Sequence, residues 1–147
     1  MKSKEGYKSI IYFLLFVWLL NVVWEVAHGL LYAGYPTMSA INYIPLMLHC
    51  SLIDTLLIAG IALVSGFFVR KYDGFIKGNK ISMIVFIIIS LIAAVFIEYR
   101  AVYMLGKWSY GIFMPTIAGI GITPLIQLAV TGLVSLYLVL FMKGGRS

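Results

Sequence analysis

Four long apolar segments constrain the fold of this chain more than any other feature of its sequence. They cover residues 9–33, 43–69, 80–104 and 117–142, and each is about 25 residues long. At a rise of about 1.5 Å per residue, each is long enough to cross the ~30 Å hydrocarbon core of a bilayer. Because that core holds no water to satisfy backbone polar groups, spanning segments of this kind must be helical. We therefore expect an all-α, polytopic membrane protein in which four transmembrane helices form a bundle, with residues 1–147 as a single integral membrane domain.

The composition agrees with this fold class. Hydrophobic residues make up 63% of the chain and charged residues only 11%, with a mean hydropathy of +1.04. A soluble domain usually carries about 25% charged residues, so most of this surface is not built to face water. The chain has one cysteine, which excludes an internal disulfide. The stretch "WEVAHG" is a poor cleavage site for a secretory signal, so we expect the first helix to be retained.

The basic residues indicate the orientation. Nine of the eleven lysines and arginines precede the first helix, separate the second from the third, or follow the fourth: Lys2, Lys4, Lys8, Arg70, Lys71, Lys77, Lys80, Lys143 and Arg146. Only Arg100 and Lys107 belong to the opposite side. By the positive-inside rule, both termini are cytoplasmic. The net charge of +6 therefore indicates anionic lipid headgroups, and no nucleic acid, as the partner of these residues.

The polar residues inside the apolar segments collect in the outer half of the predicted bilayer. Each helix contributes to this group: Asn21, Glu25 and His28 in the first, His49 and Asp54 in the second, Glu98 and Arg100 in the third, and Thr123 and Gln127 in the fourth. A charged residue at a helix centre costs roughly 2.5–3.5 kcal/mol on insertion scales, and such residues normally face the bundle interior and mark a functional site. We therefore expect one shared polar site.

Helical periodicity supports a common inward face. Asn21, Glu25, His28 and Tyr32 follow the i, i+4, i+7, i+11 spacing of one stripe. Two further stripes consist of small or polar residues four positions apart: Ser90, Ala94 and Glu98 in the third helix, and Thr123, Gln127, Thr131 and Ser135 in the fourth. The second helix is less regular. Its His49 and Asp54 are about 140° apart around the axis, so whether both face the common site stays open.

Three kinds of chemistry fit these residues. In an acid–base site, Glu25 is the general acid, because a low-dielectric environment favours the proton-carrying form of a carboxylic acid. His28, His49 and Glu98 would assist catalysis, and the residues that would bind and orient the substrate are Asn21, Asp54, Arg100, Trp108 and Gln127. A weaker alternative is a metal site of Glu25, His28 and His49, since E-x-x-H occurs in metal-binding bundles. The third interpretation is a hydrogen-bonded network that only fixes helix register.

The stretch "MPTIAGIGITPLIQL", residues 114–128, predicts an irregular start to the fourth helix. Pro115 and Pro124 bracket Gly119 and Gly121 there, and non-helical backbone is tolerated at membrane depth only where protein or a cavity covers it. Free amides at such a break could bind an anionic headgroup. A tight turn with close glycine packing is the favoured alternative.

Three stretches together, "NVVWEVAHGLLY", "LHCSLIDTLLIAG" and "GKWSYGIFMPTIAGIGITPLIQ", resemble a family of small bacterial four-helix integral membrane proteins of uncharacterised activity. This resemblance covers nearly the whole chain and implies a multi-pass protein of the bacterial plasma membrane. The first stretch alone is also similar to the W-E helix of integral-membrane terpene cyclases, in which a glutamate supplies an acid. That local resemblance implies the same role for Glu25.

The leading functional hypothesis is a pocket, open to the outer leaflet, that binds a lipidic or isoprenoid substrate and performs acid–base chemistry on it. The alternatives are a transporter of protons or small solutes, a membrane partner subunit with a structural polar network, and a metal-binding membrane protein. No sequence signature for ATP, nicotinamide or haem is present, and the cofactor and oligomeric state stay open.

Overall fold

The protein is an all-α bundle of four helices. The structure is a computed structural model that describes residues 2–70 and 73–144, with side chains from residue 6 onward. The helices are α1 (Lys2–His28), α2 (Ala40–Phe67), α3 (Lys80–Tyr99) and α4 (Ile122–Gly144). Within the described residues, these four helices, with a short extension of α1 and of α3, are long and apolar enough to cross a membrane. The predicted fold class is confirmed.

Short elements connect the helices. Two 3-10 turns, Gly29–Leu31 and Tyr35–Thr37, follow α1, and a π-helical turn, Arg100–Met104, follows α3. A two-stranded antiparallel ribbon, β1 (Thr116–Ile117) and β2 (Ile120–Gly121), leads into α4. The predicted ends of the helices therefore differ from the observed ones, most of all for α1, which begins at Lys2 and not at residue 9. α4 begins at residue 122 and not at 117, because the ribbon occupies the residues before it.

Successive helices run antiparallel and close a ring. α1 packs on α2 and α4, α3 packs on α2 and α4, and α2 also approaches α4 across the bundle. We call the end that carries the α1–α2 and α3–α4 connections the ribbon end, and the opposite end, where α1 begins and α4 finishes, the terminal end. At the ribbon end the two connections bond to each other, because the Ala33 amide donates to the Ser109 carbonyl (2.9 Å) and the Gly111 amide to the Leu31 carbonyl (2.8 Å).

The ribbon is a tight turn with close glycine packing. Ala118 and Gly119 both have positive φ, at 49° and 81°, as two-residue hairpin turns require. The Tyr103 hydroxyl donates to the Gly119 carbonyl at 2.6 Å, and the Ile122 amide donates to the Pro115 carbonyl at 2.8 Å. A Cβ on Gly121 would lie only 3.0–3.2 Å from Tyr110, Met114 and Pro124. The break therefore serves packing, as the favoured alternative predicts.

An apolar core fills the terminal half of the bundle. Its fully or almost fully buried members are Phe13, Val17, Ile58, Phe75, Phe86, Leu136 and Val139. Phe75 comes from the α2–α3 connection, and its ring packs edge-on against Phe13 (5.7 Å between centroids) and on Phe86 (4.3 Å). The buried hydroxyls of Ser65, Ser82 and Ser135 lie beside this core and bond to carbonyls of their own helices or to each other. This half of the bundle is therefore closely packed.

Candidate functional site

A cavity of about 440 Å³ lies at the ribbon end, between all four helices. Each helix places one strongly polar residue in its wall: Glu25 from α1, Asp54 from α2, Glu98 from α3 and Gln127 from α4. The volume is within the range of roughly 300–1,000 Å³ that is usual for small-molecule sites. Because Glu25, Glu98 and Gln127 are 8%, 5% and 4% exposed, these groups are removed from bulk solvent.

The Gln127 side-chain amide joins three of the four helices. Its Nε2 lies 2.6 Å from Glu25 Oε1, 2.8 Å from Asp54 Oδ2 and 3.1 Å from Asn21 Oδ1. An amide nitrogen has two hydrogens, so it cannot give each of three acceptors a hydrogen bond of its own. The Glu25 and Asp54 carboxyls therefore converge on one donor and compete for it.

Glu98 is held differently, by donors from the two connections. Tyr110 donates its hydroxyl to Oε2 at 2.7 Å, Trp108 donates its indole N–H to the same oxygen at 3.4 Å, and Tyr32 donates to Oε1 at 3.2 Å. Glu98 therefore ties the irregular segment 105–111 to the end of α1. Since Trp108 and Lys107 of that segment also line the cavity, the Glu98 bonds hold the roof of the site in place.

The two phenols that donate to Glu98, those of Tyr32 and Tyr110, are held in their neutral form. Burial raises the pKa of Tyr32 well above its ordinary value of 10.0, and the negative charge of Glu98 raises it further. Burial also raises the pKa of Tyr110, and its hydrogen bond to Glu98 acts in the same direction. A phenol that keeps its proton can only donate to a carboxylate, so both tyrosines remain donors to Glu98 through the neutral pH range.

His28 has one nitrogen bonded and one free. Its Nδ1 lies 3.0 Å from the Trp24 carbonyl oxygen and 3.9 Å from Glu25 Oε1. Because a carbonyl can only accept, Nδ1 carries a hydrogen, and Nε2 of the neutral ring is then an acceptor. His28 is 7% exposed and lines the cavity, yet its Nε2 makes no hydrogen bond to any described residue. It is an acceptor available to a ligand.

The structure places most of the predicted site residues together. Glu25, His28, Asp54, Glu98, Trp108 and Gln127 all line the cavity. Asn21 is fully buried next to it, where its Oδ1 accepts from Gln127. The sequence left the relation of His49 to Asp54 open, and the structure separates them: Asp54 lines the cavity, whereas His49 is exposed and is not part of the wall. The offset of about 140° around α2 explains this.

Arg100 is the second predicted residue outside the cavity. It is exposed, at the start of the π-helical turn, and makes no ion pair with Glu98 among the described residues. The metal alternative also lacks its ligand set, since His49 lies away from Glu25 and His28. In residues 2–70 and 73–144, no group of three or more His, Cys, Asp or Glu side chains could hold a metal ion.

Sequence reasoning missed several residues of the site. Tyr110, which makes the shortest bond to Glu98, is not among the predicted site residues, and the cavity wall also includes Tyr35, Cys50 and Lys107. Tyr110 lies in a non-helical connection, where helical periodicity gives no prediction of direction. The alternation of Trp108 and Tyr110 in "GKWSYG" is a signal that could have placed both on one side of an extended segment.

Comparisons with protein-family models, with curated proteins and with solved structures find no match to this chain. The site is therefore interpreted from its own geometry, and the resemblance to small bacterial four-helix membrane proteins stays an expectation of the sequence.

Proposed function

We propose that this protein binds a lipidic or isoprenoid molecule in the cavity at the ribbon end and exchanges a proton with it through the Glu25–Asp54 pair. One observation carries the proposal: two carboxyls from different helices converge on the same amide, Gln127 Nε2, in the wall of a cavity large enough for a ligand. Buried carboxyls are costly in a membrane protein, so a pair held in register by a third helix is typical of a functional site.

The residues divide into two roles. Glu25 is the proton donor, since it lies in the cavity wall and shares the Gln127 amide with a second carboxyl, that of Asp54. His28 Nε2, the unpaired acceptor, is suited to receive or relay that proton. Glu98, with three donors around it, supports the roof and orients the ligand.

Binding fits the cavity better than transport does. A solute path would have to pass the terminal half of the bundle, where Phe13, Val17, Ile58 and Phe86 are 0–2% exposed and pack together. The lining of the cavity includes none of these residues. A polar cavity above a closely packed apolar core favours a molecule that enters and leaves on the same side.

Incorporation of deuterium tests the proposal even though the substrate is unidentified. The purified protein is incubated in D₂O with a total lipid extract, and untargeted mass spectrometry searches for lipids that gain deuterium on carbon or change structure. We expect such a product with the wild type and none with Glu25→Gln. Asp73→Asn is the matched control, because it makes the same kind of change in a loop carboxyl paired with Lys77. Equal products from wild type and Glu25→Gln would refute the assignment of Glu25.

We also propose that the ribbon end faces outward and that both termini lie in the cytoplasm of a bacterial plasma membrane. Among the described side chains, the terminal end carries Lys8, Arg70, Lys77, Lys80 and Lys143, and the ribbon end carries Arg100 and Lys107. Lys71 and Arg146 lie outside the described residues, as do the side chains of Lys2 and Lys4. A C-terminal fusion to green fluorescent protein should be fluorescent and one to alkaline phosphatase inactive. The reverse pattern would contradict this orientation.

A further inference from the structure

A second concave surface adjoins the cavity on the outside of the bundle. It is a groove of about 450 Å³ between α1 and α4, and its apolar lining runs from Leu31, at the ribbon end, to Leu20 on α1, with Val130 and Val134 on α4. At 1.5 Å per residue, the distance from Leu31 to Leu20 is about 16 Å, which is about half of a ~30 Å hydrocarbon core. The groove therefore has the length of one leaflet.

His28 lines both the groove and the cavity. The polar site and the apolar groove consequently share a wall at the level where α1 ends. A molecule that occupied both would have a polar group between the helices and a chain along the surface of α1 and α4, directed toward the bilayer midplane. This is the shape of a membrane lipid in its ordinary orientation.

The charged groups in the cavity wall determine which headgroup charge binds there most favourably. Its wall contains three carboxyls, from Glu25, Asp54 and Glu98, and the free acceptor His28 Nε2, but among the described lining residues Lys107 is the one cation. Three carboxyls against one lysine leave negative charge in excess even where one of the three carboxyls carries a proton. A phosphate or diphosphate placed between these carboxyls would be repelled, whereas an ammonium group there would gain charge-assisted hydrogen bonds. A phosphate is therefore tolerated only in a headgroup whose ammonium lies between it and the carboxyls.

We infer that the ligand of this site is a lipid with a primary ammonium headgroup, which places its ammonium between the carboxyls of the cavity and one acyl chain in the α1–α4 groove. The inference rests on the proposed function and narrows its ligand from any lipidic or isoprenoid molecule to an aminolipid. Its ammonium anchors the headgroup, and because an ammonium has no lone pair, the group that exchanges a proton with Glu25 belongs to another part of the same lipid. The inference excludes anionic lipids, because the carboxyls repel their negative charge. It also excludes neutral hydroxylated lipids, because they leave the negative charge of the carboxyls uncompensated.

The single cysteine offers a direct readout. Cys50 lines the cavity, so a bound headgroup shields its thiol from a small methanethiosulfonate reagent. The full-length protein is placed in nanodiscs of phosphatidylglycerol alone, or with an equal share of phosphatidylethanolamine, phosphatidylcholine or a neutral diglycosyl diacylglycerol. We expect phosphatidylethanolamine to slow labelling about fivefold or more relative to phosphatidylglycerol, as a preference of about 1 kcal/mol gives. Phosphatidylcholine, whose cation has no N–H hydrogens, should slow it less. Equal rates in all four nanodiscs, or the strongest protection by the glycolipid, would overturn the inference.

Variants separate the headgroup from the chain. Asp54→Asn should remove most of the preference for phosphatidylethanolamine, whereas the matched control Asp73→Asn should keep it. Ala27→Trp fills the groove without touching a carboxyl and should reduce the lipid retained in native mass spectrometry. Circular dichroism verifies that each variant folds. An unchanged preference in Asp54→Asn, or unchanged retention in Ala27→Trp, would refute the corresponding half of the inference. Deuterium incorporation without ammonium selectivity would leave the proposed function standing and remove only the aminolipid, so the two failures are distinguishable.

Discussion

Replacement of Gln127 by leucine tests whether one amide holds the polar site together. In the wild type, Gln127 Nε2 is 2.6 Å from Glu25, 2.8 Å from Asp54 and 3.1 Å from Asn21. Leucine has a similar size, so the loss of packing is small and the effect is that of the missing donor. Interhelical hydrogen bonds in membrane proteins contribute about 0.6 kcal/mol on average and up to about 1.7 kcal/mol. With two hydrogens to donate, Gln127→Leu should lower the free energy of unfolding by roughly 1–3 kcal/mol.

The assay is reversible unfolding in mixed micelles, in which SDS displaces a mild detergent and far-UV circular dichroism reports the helix content. Ser135→Ala is the matched control on α4, because among the described residues this buried hydroxyl bonds only to the Thr131 carbonyl of its own helix. We expect that control to stay within about 0.5 kcal/mol of the wild type. The double variant with Asp54→Asn should show a coupling energy above about 0.5 kcal/mol. A Gln127→Leu protein as stable as Ser135→Ala would refute the reasoning.

Three further predictions concern the roof, the packing and the phenols. Glu98→Ala removes the acceptor to which Tyr32, Trp108 and Tyr110 donate, so the segment 105–111 should become more mobile. Trypsin should then cleave after Lys107 several times faster than in the wild type, and an unchanged rate would mean that these bonds do not hold the roof. Gly132→Ala should lower the free energy of unfolding by roughly 1–3 kcal/mol in the same assay, because the added Cβ would overlap the ring of Phe86. A Gly132→Ala protein as stable as the wild type would contradict this close approach. The raised pKa of Tyr110 means that its stabilisation is complete below about pH 10, the unfolded value, and is lost as the pH rises toward the folded value. The wild type should therefore lose more stability than Tyr110→Phe between pH 9 and pH 11, and equal losses would count against the buried phenol.

The sequence predicted the part of the site that helical periodicity governs. Glu25 and Gln127 lie on inward stripes because their polar neighbours recur every three or four residues, and both line the cavity. For Asp54 and His49, which are about 140° apart around the helix axis, the same rule left open whether both face the common site. The choice between them depends on how α2 is rotated against α1 and α4, which is a property of packing and not of spacing.

The helix ends followed the sequence less closely. The start of α4 at residue 122 depends on a turn in which Ala118 adopts a positive φ, and an alanine gives no sign of that conformation. Past Tyr99, α3 continues as a wider π-helical turn, because the Leu105 amide bonds to the Arg100 carbonyl five residues earlier. Both deviations occur where the connections must fold back over the cavity.

By itself, the sequence determined that this protein is a bundle of four long apolar helices and that their polar residues collect near one end. It could do so because hydrophobic length and periodicity are local properties that the membrane environment makes decisive. Only the tertiary structure decided that Glu25 and Asp54 share one amide, that Tyr110 holds Glu98, and that His49 and Arg100 stay outside. Those relations join residues from different helices and from irregular connections, so they depend on helix rotation and on loop conformation, which no local pattern encodes.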